Sequence, residues 1–525
     1  MKKNTSKLIA CILTCSLILG GCSASSVTGI PGLLYETFET IADIVEENPE
    51  GLSPDVPPSD IWTWPDTEEH EEEYDWGDGL TDDDLPDAED GTVTILMYVN
   101  GSTLETEGGY ATDDIMEIIE AGYSENVNVV IQTMGTKYWS RKLGIASDRA
   151  QTYVVGKDGL ELVRDNLGQL DCTKAETLKD FIEFGAKAYP ASRNILIMWD
   201  HGGGPAYGFG WDEFRDEYEN LSLDEMIKAL RYCNVHFDFI GMDCCIMSCL
   251  EITYALREFC DYMIVSEDFE SCLGWYYTDW MKALYADTSI STYDLGKTII
   301  DDMIYKNEKD KFRGDRSILA LIDESRMDKL WEVWTEFAYD NEEALLKTNF
   351  SQEMEGTGKG ADHVLGNRSG KTNALKSDLF EMLIDEAIDY LTDGGSYEDL
   401  YFDPDEVYIS DYCITDMMCL GQMIDSDNSE KLMKAVDKAI LYVSATSDNL
   451  SLTGLAVTLP YNDEVLYYDL ASVLNKCGFD QDYVEWLRKF CDARTEKEHI
   501  DWESWGEKFW NEWGEYESSD IWGEW

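Results

Sequence analysis

Residues 199–212 read WDHGGGPAYGFGWD and residues 237–251 read FDFIGMDCCIMSCLE. Between them they hold the groups that acyl transfer through sulfur needs. Cys245, with Cys244 beside it, is a thiol at the end of an apolar run. His201 is an imidazole able to move a proton, and the glycines after it let a carbonyl approach main-chain N–H groups, that of Gly202 first. A lone buried Cys is usually a small hydrophobe and a lone His before glycines a turn residue; the pair carries the signal. The chain has five histidines. His70 and His499 lie in acid-rich segments, His363 in a Gly-rich stretch and His236 at the start of a strand, so His201 is the candidate base. A zinc site from Cys244, Cys245 and Cys249 is disfavoured, because adjacent ligands pack poorly around the metal and no His follows.

These residues must be held by strands. Ile195–Met198 run straight into Trp199-Asp200-His201, and FDFIGMDCC is a second apolar strand. Along the chain, TVTILMYVNG, VNVVIQTMG, NILIMWD, FDFIGMDCC and YMIVSEDFE read as strands; DDIMEIIEAGY, AETLKDFIEFGAKAY, LSLDEMIKALRYC (N-capped by Ser222) and IMSCLEITYALREF read as helices. QTYVVGKDGLELV reads as a hairpin. This alternation predicts an α/β fold, a mostly parallel sheet with helices on both faces. Ligands in such sheets sit at the strands' carboxyl ends, where His201, Cys245 and Glu267 would open onto one edge. A helix starting directly after Cys245 would lend its dipole to the thiolate. Further on, SILALID and LTGLAVTLPYND read as strands, and MDKLWEVWTEFAYD, SDLFEMLIDEAIDYL and SEKLMKAVDKAILYVSA as helices. The stretch GTGKGADHVLGNRSGKTNA is not a phosphate loop, since that pattern needs Gly where Leu365 stands.

The two motifs in this order, with MYVNGSTLET…ATDDIMEI before them and YMIVSEDFESCLGWYY and GLAVTLPYND after them, resemble the clostripain family of cysteine peptidases in the caspase-like clan. The resemblance spans residues 92–280 closely and extends to about 465. It implies a caspase-like sheet with a C-terminal α/β extension, and an endopeptidase cutting after Arg or Lys by a Cys–His dyad through an acyl-enzyme. His201 matches the catalytic base and Cys245 the nucleophile of the family's Asp-Ala-Cys; the middle position here is Cys244. The Gly202 and Cys245 N–H groups would stabilise the oxyanion. Asp243, helped by Glu267 or Asp268, would hold the basic P1 side chain. Family members cut themselves in the loop after the His, and its single basic residue makes Arg215-Asp216 the candidate nick. No cofactor is required by this chemistry; calcium is a candidate ligand, without an EF-hand pattern.

The formal net charge of −67 over 525 residues repels nucleic acid phosphates and favours Lys- or Arg-bearing peptides as partners. Residues 1–22 read as a lipoprotein signal: Lys2, Lys3 and Lys7, an apolar run from Leu8 to Leu19, then Gly20-Gly21-Cys22, with Cys22 to be lipidated. That places the chain outside the cytoplasm, anchored to a bacterial membrane. Residues 23–91 hold 22 Asp/Glu and no Lys or Arg, an extended acidic spacer. The catalytic region is expected over 92–310, an α/β region over 311–495, and an acidic Trp-rich tail over 496–525. The 14 cysteines show no disulfide framework. A rival reading is an inactive caspase-like lipoprotein that binds through its acidic surface and Trp-rich tail.

Overall fold

Eight consecutive buried residues, Val93–Asn100, form β1, and mostly buried, apolar-rich runs recur in β2 (Val127–Met134), β5 (Arg193–Trp199), β6 (Phe237–Asp243) and β7 (Cys260–Val265). Strands covered on both faces need no alternation, and these five are mutually parallel. This is a computed structural model, and it describes residues 79–492 except 82–83, 166, 216–218, 311–316, 348–413, 425, 447–451 and 461–463. The signal, nearly all of the spacer, the Gly-rich stretch, the expected helix SDLFEMLIDEAIDYL and the tail lie outside the described residues. The described residues belong to one unit.

The hairpin of β3 (Gln151–Gly156) and β4 (Gly159–Arg164) adds to β2, and β8 (Ile318–Asp323) adds antiparallel to β7. β10 (Ile440–Ala445) then pairs with β8, giving nine strands in the order β10-β8-β7-β6-β5-β1-β2-β3-β4. One expectation fails here. SEKLMKAVDKAILYVSA is not a single helix: Ser429–Ala439 is helical, but the β-branched and aromatic run Ile-Leu-Tyr-Val that follows pairs with the free edge of β8. Strands β8 and β10 of 311–495 therefore continue the sheet of 92–310. A separate pair, β9 (Ile414–Asp416) and β11 (Ala456–Thr458), reaches the main body where Ala456 bridges Cys249.

Helices α1 (Tyr110–Ala121), α5 (Tyr277–Ala286) and α6 (Thr292–Lys309) cover one face, with Ile115, Trp280 and Ile299 in its core. Helices α2 (Ala175–Ala188), α3 (Leu223–Cys233), α4 (Leu250–Leu256) and α7 (Met327–Asp340) contribute Phe181, Leu230, Ile252 and Trp334 to the other. Ser222 stands at the N-cap of α3, but its hydroxyl bonds Asp224 instead of a main-chain N–H. All ten described cysteines are free thiols. Among the described residues no helix is long and apolar enough to cross a membrane.

Candidate active site

Register decides how the two motifs meet. Trp199 on β5 pairs with Asp243 on β6, so two residues later His201 and Cys245 leave adjacent strands at the same level. Gly202 lies against the Cys245 main chain; a Cβ there would stand 2.0 Å from the Cys245 carbonyl oxygen. Only glycine fits this approach. The strand then doubles back in a narrow turn, with Gly203 N–H donating to the Gly208 carbonyl and Gly210 N–H to that of His201. These bonds leave the Gly202 N–H out of the turn, as an oxyanion donor would have to be.

His201 is half-buried, and burial lowers its pKa. Its ring lies against Trp211, centroids 4.9 Å apart and planes at 39°, and its Nε2 is 3.1 Å from the Thr103 hydroxyl. Asp200, pushed up to about 8 by burial, accepts from Ser102 Oγ at 2.5 Å and from Trp211 N–H at 2.8 Å. The residues of Asn100-Gly-Ser-Thr103 that hold the histidine were not among the predicted site residues. What marks them is a polar tetrapeptide at the carboxyl end of a buried strand neighbouring β5.

The thiol does not sit at a helix N-terminus. α4 starts only at Leu250, and residues 245–249 form an irregular turn in which Ile246 has φ +51°, a strained value for a β-branched residue. The expected dipole assistance is therefore lost. Burial pushes the Cys245 thiol up to about 12, so the resting sulfur is protonated. It lies under Glu270, whose N–H donates to Sγ at 3.2 Å. Cys244 points into the core between β6 and the α2–α4 layer, and Cys249 is fully buried.

Asp243, two residues before Cys245, is buried and accepts from Tyr277 Oη at 2.6 Å and Trp275 N–H at 3.2 Å; burial pushes it up to about 6. Its carboxylate companions differ from those expected. Glu267 is turned to the opposite face, where it accepts from Gly454 N–H at 2.6 Å and faces Asp416. Side chains alternate along the extended chain leaving β7, so Glu267 points away from the α1/α5/α6 side that holds Asp243. Asp268 contributes its carbonyl to Ile246 N–H and Ser266 Oγ, and its charge to the field around Cys245. The companion is Glu270, three residues beyond Glu267 and against Asp243. Neither Glu270 oxygen takes a well-formed hydrogen bond from a protein donor; the Trp275 indole N–H and the Asp243 carboxyl are its polar neighbours. Burial and the Asp243 charge hold the Glu270 carboxyl well above its usual range. Asp114 completes the cluster: it accepts from the Trp199 indole at 2.8 Å, and its Oδ2 and the Asp243 oxygens both flank the bare α-carbon of Gly274. Asp114 also lines a groove of about 500 Å³ with Glu117, Cys272 and Lys306. Arg215 pairs with Asp171 at 3.3 Å at the last described position before residues 216–218, so the Arg215-Asp216 bond itself lies at the border of the described chain. Among the described residues no group of three or more His, Cys, Asp or Glu is arranged to hold a metal ion.

A family model described as the clostripain family, peptidase C11, matches residues 97–468. The chain belongs to the clostripain family. It is a cysteine peptidase of the C11 type, with the mostly parallel, two-faced sheet of those enzymes. This clostripain-family chain is similar to the solved structure of a secreted C11 cysteine protease from Bacteroides thetaiotaomicron in complex with an irreversible peptide inhibitor. That match has 16% identity and TM-score 0.49, covering 74% of this chain and 100% of that one. It is also similar to an inactive zymogen C11 protease from Parabacteroides distasonis, at 17% identity and TM-score 0.47, covering 75% of this chain and 100% of that one. Comparison with curated proteins gives no match.

Proposed function

We propose that this cysteine peptidase is an endopeptidase that cuts after Arg or Lys, with Cys245 as nucleophile and His201 as base. What supports the reading is the register of β5 and β6, from whose neighbouring ends the chain runs out to His201 and to Cys245, with the buried carboxyls of Asp243 and Glu270 beside them. His201 takes the thiol proton as Cys245 Sγ attacks the peptide carbonyl. The tetrahedral oxyanion is held by the Gly202 and Cys245 N–H groups, and the imidazolium then protonates the leaving amine. Water repeats the sequence on the thioester. A guanidinium or ammonium in front of Asp243 and Glu270 would draw both into the ionised state and pair with them, Arg bidentately. Lipidation at Cys22 would place this activity at a membrane surface, and cutting at Arg215-Asp216 would free the loop beside His201.

The test is hydrolysis of fluorogenic peptides with Arg, Lys or Ala at P1, with and without added calcium, by the intact chain and by Cys245→Ala, Cys244→Ala and His201→Ala. Cys245→Ala and His201→Ala should lose at least about 1000-fold in kcat, and Cys244→Ala should keep most activity. Full turnover in Cys245→Ala would remove the nucleophile assignment. Intact chain that cleaves none of the peptides, even after nicking at Arg215, would favour the binding-module reading.

A further inference from the structure

We propose that Thr103 is the positioning residue of the dyad: its hydroxyl accepts the Nε2–H of His201 and so reserves Nδ1 for proton exchange with Cys245. The inference rests on the Cys–His reading above. His201 has two fixed contacts in the structure, the Trp211 ring on one face and Thr103 Oγ1 at Nε2, 3.1 Å away. The first sets the plane of the imidazole and the second its rotation within that plane. A ring held at Nε2 offers Nδ1 to its other side.

The support under Thr103 is built with some strain. Ser102 has φ +43°, a left-handed value unusual for a residue other than glycine, asparagine or aspartate. Its hydroxyl is spent on Asp200 Oδ1 at 2.5 Å. The other oxygen of Asp200 takes the N–H of Trp211. One carboxyl thus ties the Thr103 turn, the residue before His201 and the ring that packs on His201 into a single unit. The segment after Thr103, the irregular turn Leu104–Gly108, is fastened in turn. Glu105 accepts from Thr112 N–H, Thr112 Oγ1 and Ser140 N–H, and Thr106 Oγ1 reaches Glu213 on the loop after His201. None of these contacts touches a substrate or the reacting sulfur. Their common result is the placement of one hydroxyl at one ring nitrogen.

The proton count closes with this assignment. In the resting enzyme Nε2 carries its hydrogen and Nδ1 a lone pair. Nδ1 takes the thiol proton as sulfur bonds to the carbonyl carbon, and the ring becomes imidazolium with Nε2–H still on Thr103. When the C–N bond breaks, the Nδ1 proton leaves with the amine and the starting tautomer returns. A hydroxyl acceptor favours the imidazolium, so its loss lowers the pKa of His201. The titratable neighbours are Asp200, just after β5, and Cys245, two residues after β6, and burial is the influence that already lowers His201.

The test compares Thr103→Val, which keeps the shape and removes the acceptor, with Thr103→Ser, which keeps the acceptor. Thr103→Val should lose about 10- to 100-fold in kcat, with KM within about twofold for an unchanged P1 pocket. The limb of kcat/KM that reports His201 should move to lower pH, and Thr103→Ser should restore both. A Thr103→Val enzyme with normal kcat and pH profile, beside an inactive His201→Ala, would overturn the proposal and leave the dyad standing; an active His201→Ala would instead overturn the dyad. A second readout does not need turnover. In Cys245→Ala protein, the imidazole nitrogen-15 shifts of His201 should show the Nε2–H tautomer, and Thr103→Val should reduce its share. A dominant Nδ1–H tautomer in the Cys245→Ala protein with Thr103 intact would refute the assignment.

Discussion

Two buried carboxyl groups on opposite faces of the sheet are each pressed against a second carboxyl, and they are treated differently. On one face Glu267 meets Asp416, and donors reach both acids, leaving Glu267 Oε1 as the one oxygen of the pair without a partner. Gly454 N–H goes to Glu267, while Cys419 N–H, Thr453 N–H and Thr453 Oγ1 go to Asp416, all between 2.6 and 2.9 Å. On the other face Asp243 meets Glu270, and only Asp243 has donors. Both arrangements raise the pKa of one partner by desolvation and like charge. A pair surrounded by fixed donors is a structural clasp, here joining β7 to the β9/β11 sheet. A carboxyl with neither oxygen answered, as Glu270 is beside Cys245, would retain the capacity to take a cation.

The sharpest way to break this contrast is Asp243→Asn. It should lower kcat/KM for Arg substrates by about 100-fold or more, the effect of removing one partner of a desolvated charge pair, with a much smaller loss on an Ala-P1 peptide. Equal losses on both substrates would make Asp243 a support of the fold instead of a reader of charge.

Stability against pH gives the next largest effect and follows from the same desolvation. Burial pushes Asp243 up to about 6 and Glu251 up to about 7, from ordinary values of 3.8 and 4.5. The folded state therefore binds more protons than the unfolded chain. Stability from these groups is fully present below their ordinary values and is lost as pH rises through 6 to 7. The melting temperature should fall between pH 5 and pH 8. Glu251 is held by Thr458 N–H and Tyr483 Oη, which a glutamine also satisfies, so Glu251→Gln should flatten that fall by at most about 3 kcal/mol. A melting temperature that climbs over this range would contradict the raised carboxyls.

Much of this site was legible beforehand because strand ends are local features. An apolar run broken by Asp-His-Gly or Asp-Cys-Cys locates the carboxyl edge of a parallel sheet, and the parallel register then brings His201 and Cys245 together. What was not legible depends on contacts distant in sequence or on unusual backbone. Glu270 replaced Glu267 because the face each presents is settled by the turn leaving β7. The helix after Cys245 starts late because Ile246 takes a left-handed conformation that no propensity predicts. Ile440–Ala445 continues a helical pattern, and only the open edge of β8 turns it into a strand. Ser102 and Thr103 look like ordinary turn residues until β1 is known to lie beside β5.

Glu270→Gln should act on the open pair more mildly than Asp243→Asn. It puts a neutral amide where a second carboxylate could ionise to meet the substrate's cation, so kcat/KM for Arg substrates should fall about tenfold. In the intact enzyme KM for these substrates should fall as pH rises from 5 to 8, because Asp243 gains charge over that range. The variant should lose part of this dependence. A KM independent of pH in the intact enzyme would mean that the two carboxyls do not meet the P1 side chain.

The smallest effect belongs to the closed pair and completes the comparison. Glu267→Gln keeps an acceptor for Gly454 N–H and can donate its amide to Asp416, which removes the need for a proton between two acids. At pH 8 it should therefore leave stability unchanged or raise it by up to about 1 kcal/mol, and leave the preference for Arg over Ala at P1 as it was. Asp416→Asn replaces the carboxylate that receives Cys419 N–H at the start of the Met417–Met423 helix, and should cost about 1 kcal/mol of stability. If either substitution changed P1 preference as strongly as Glu270→Gln, the two faces would have to be read as one charged site, and the presence or absence of donors would no longer separate clasp from pocket.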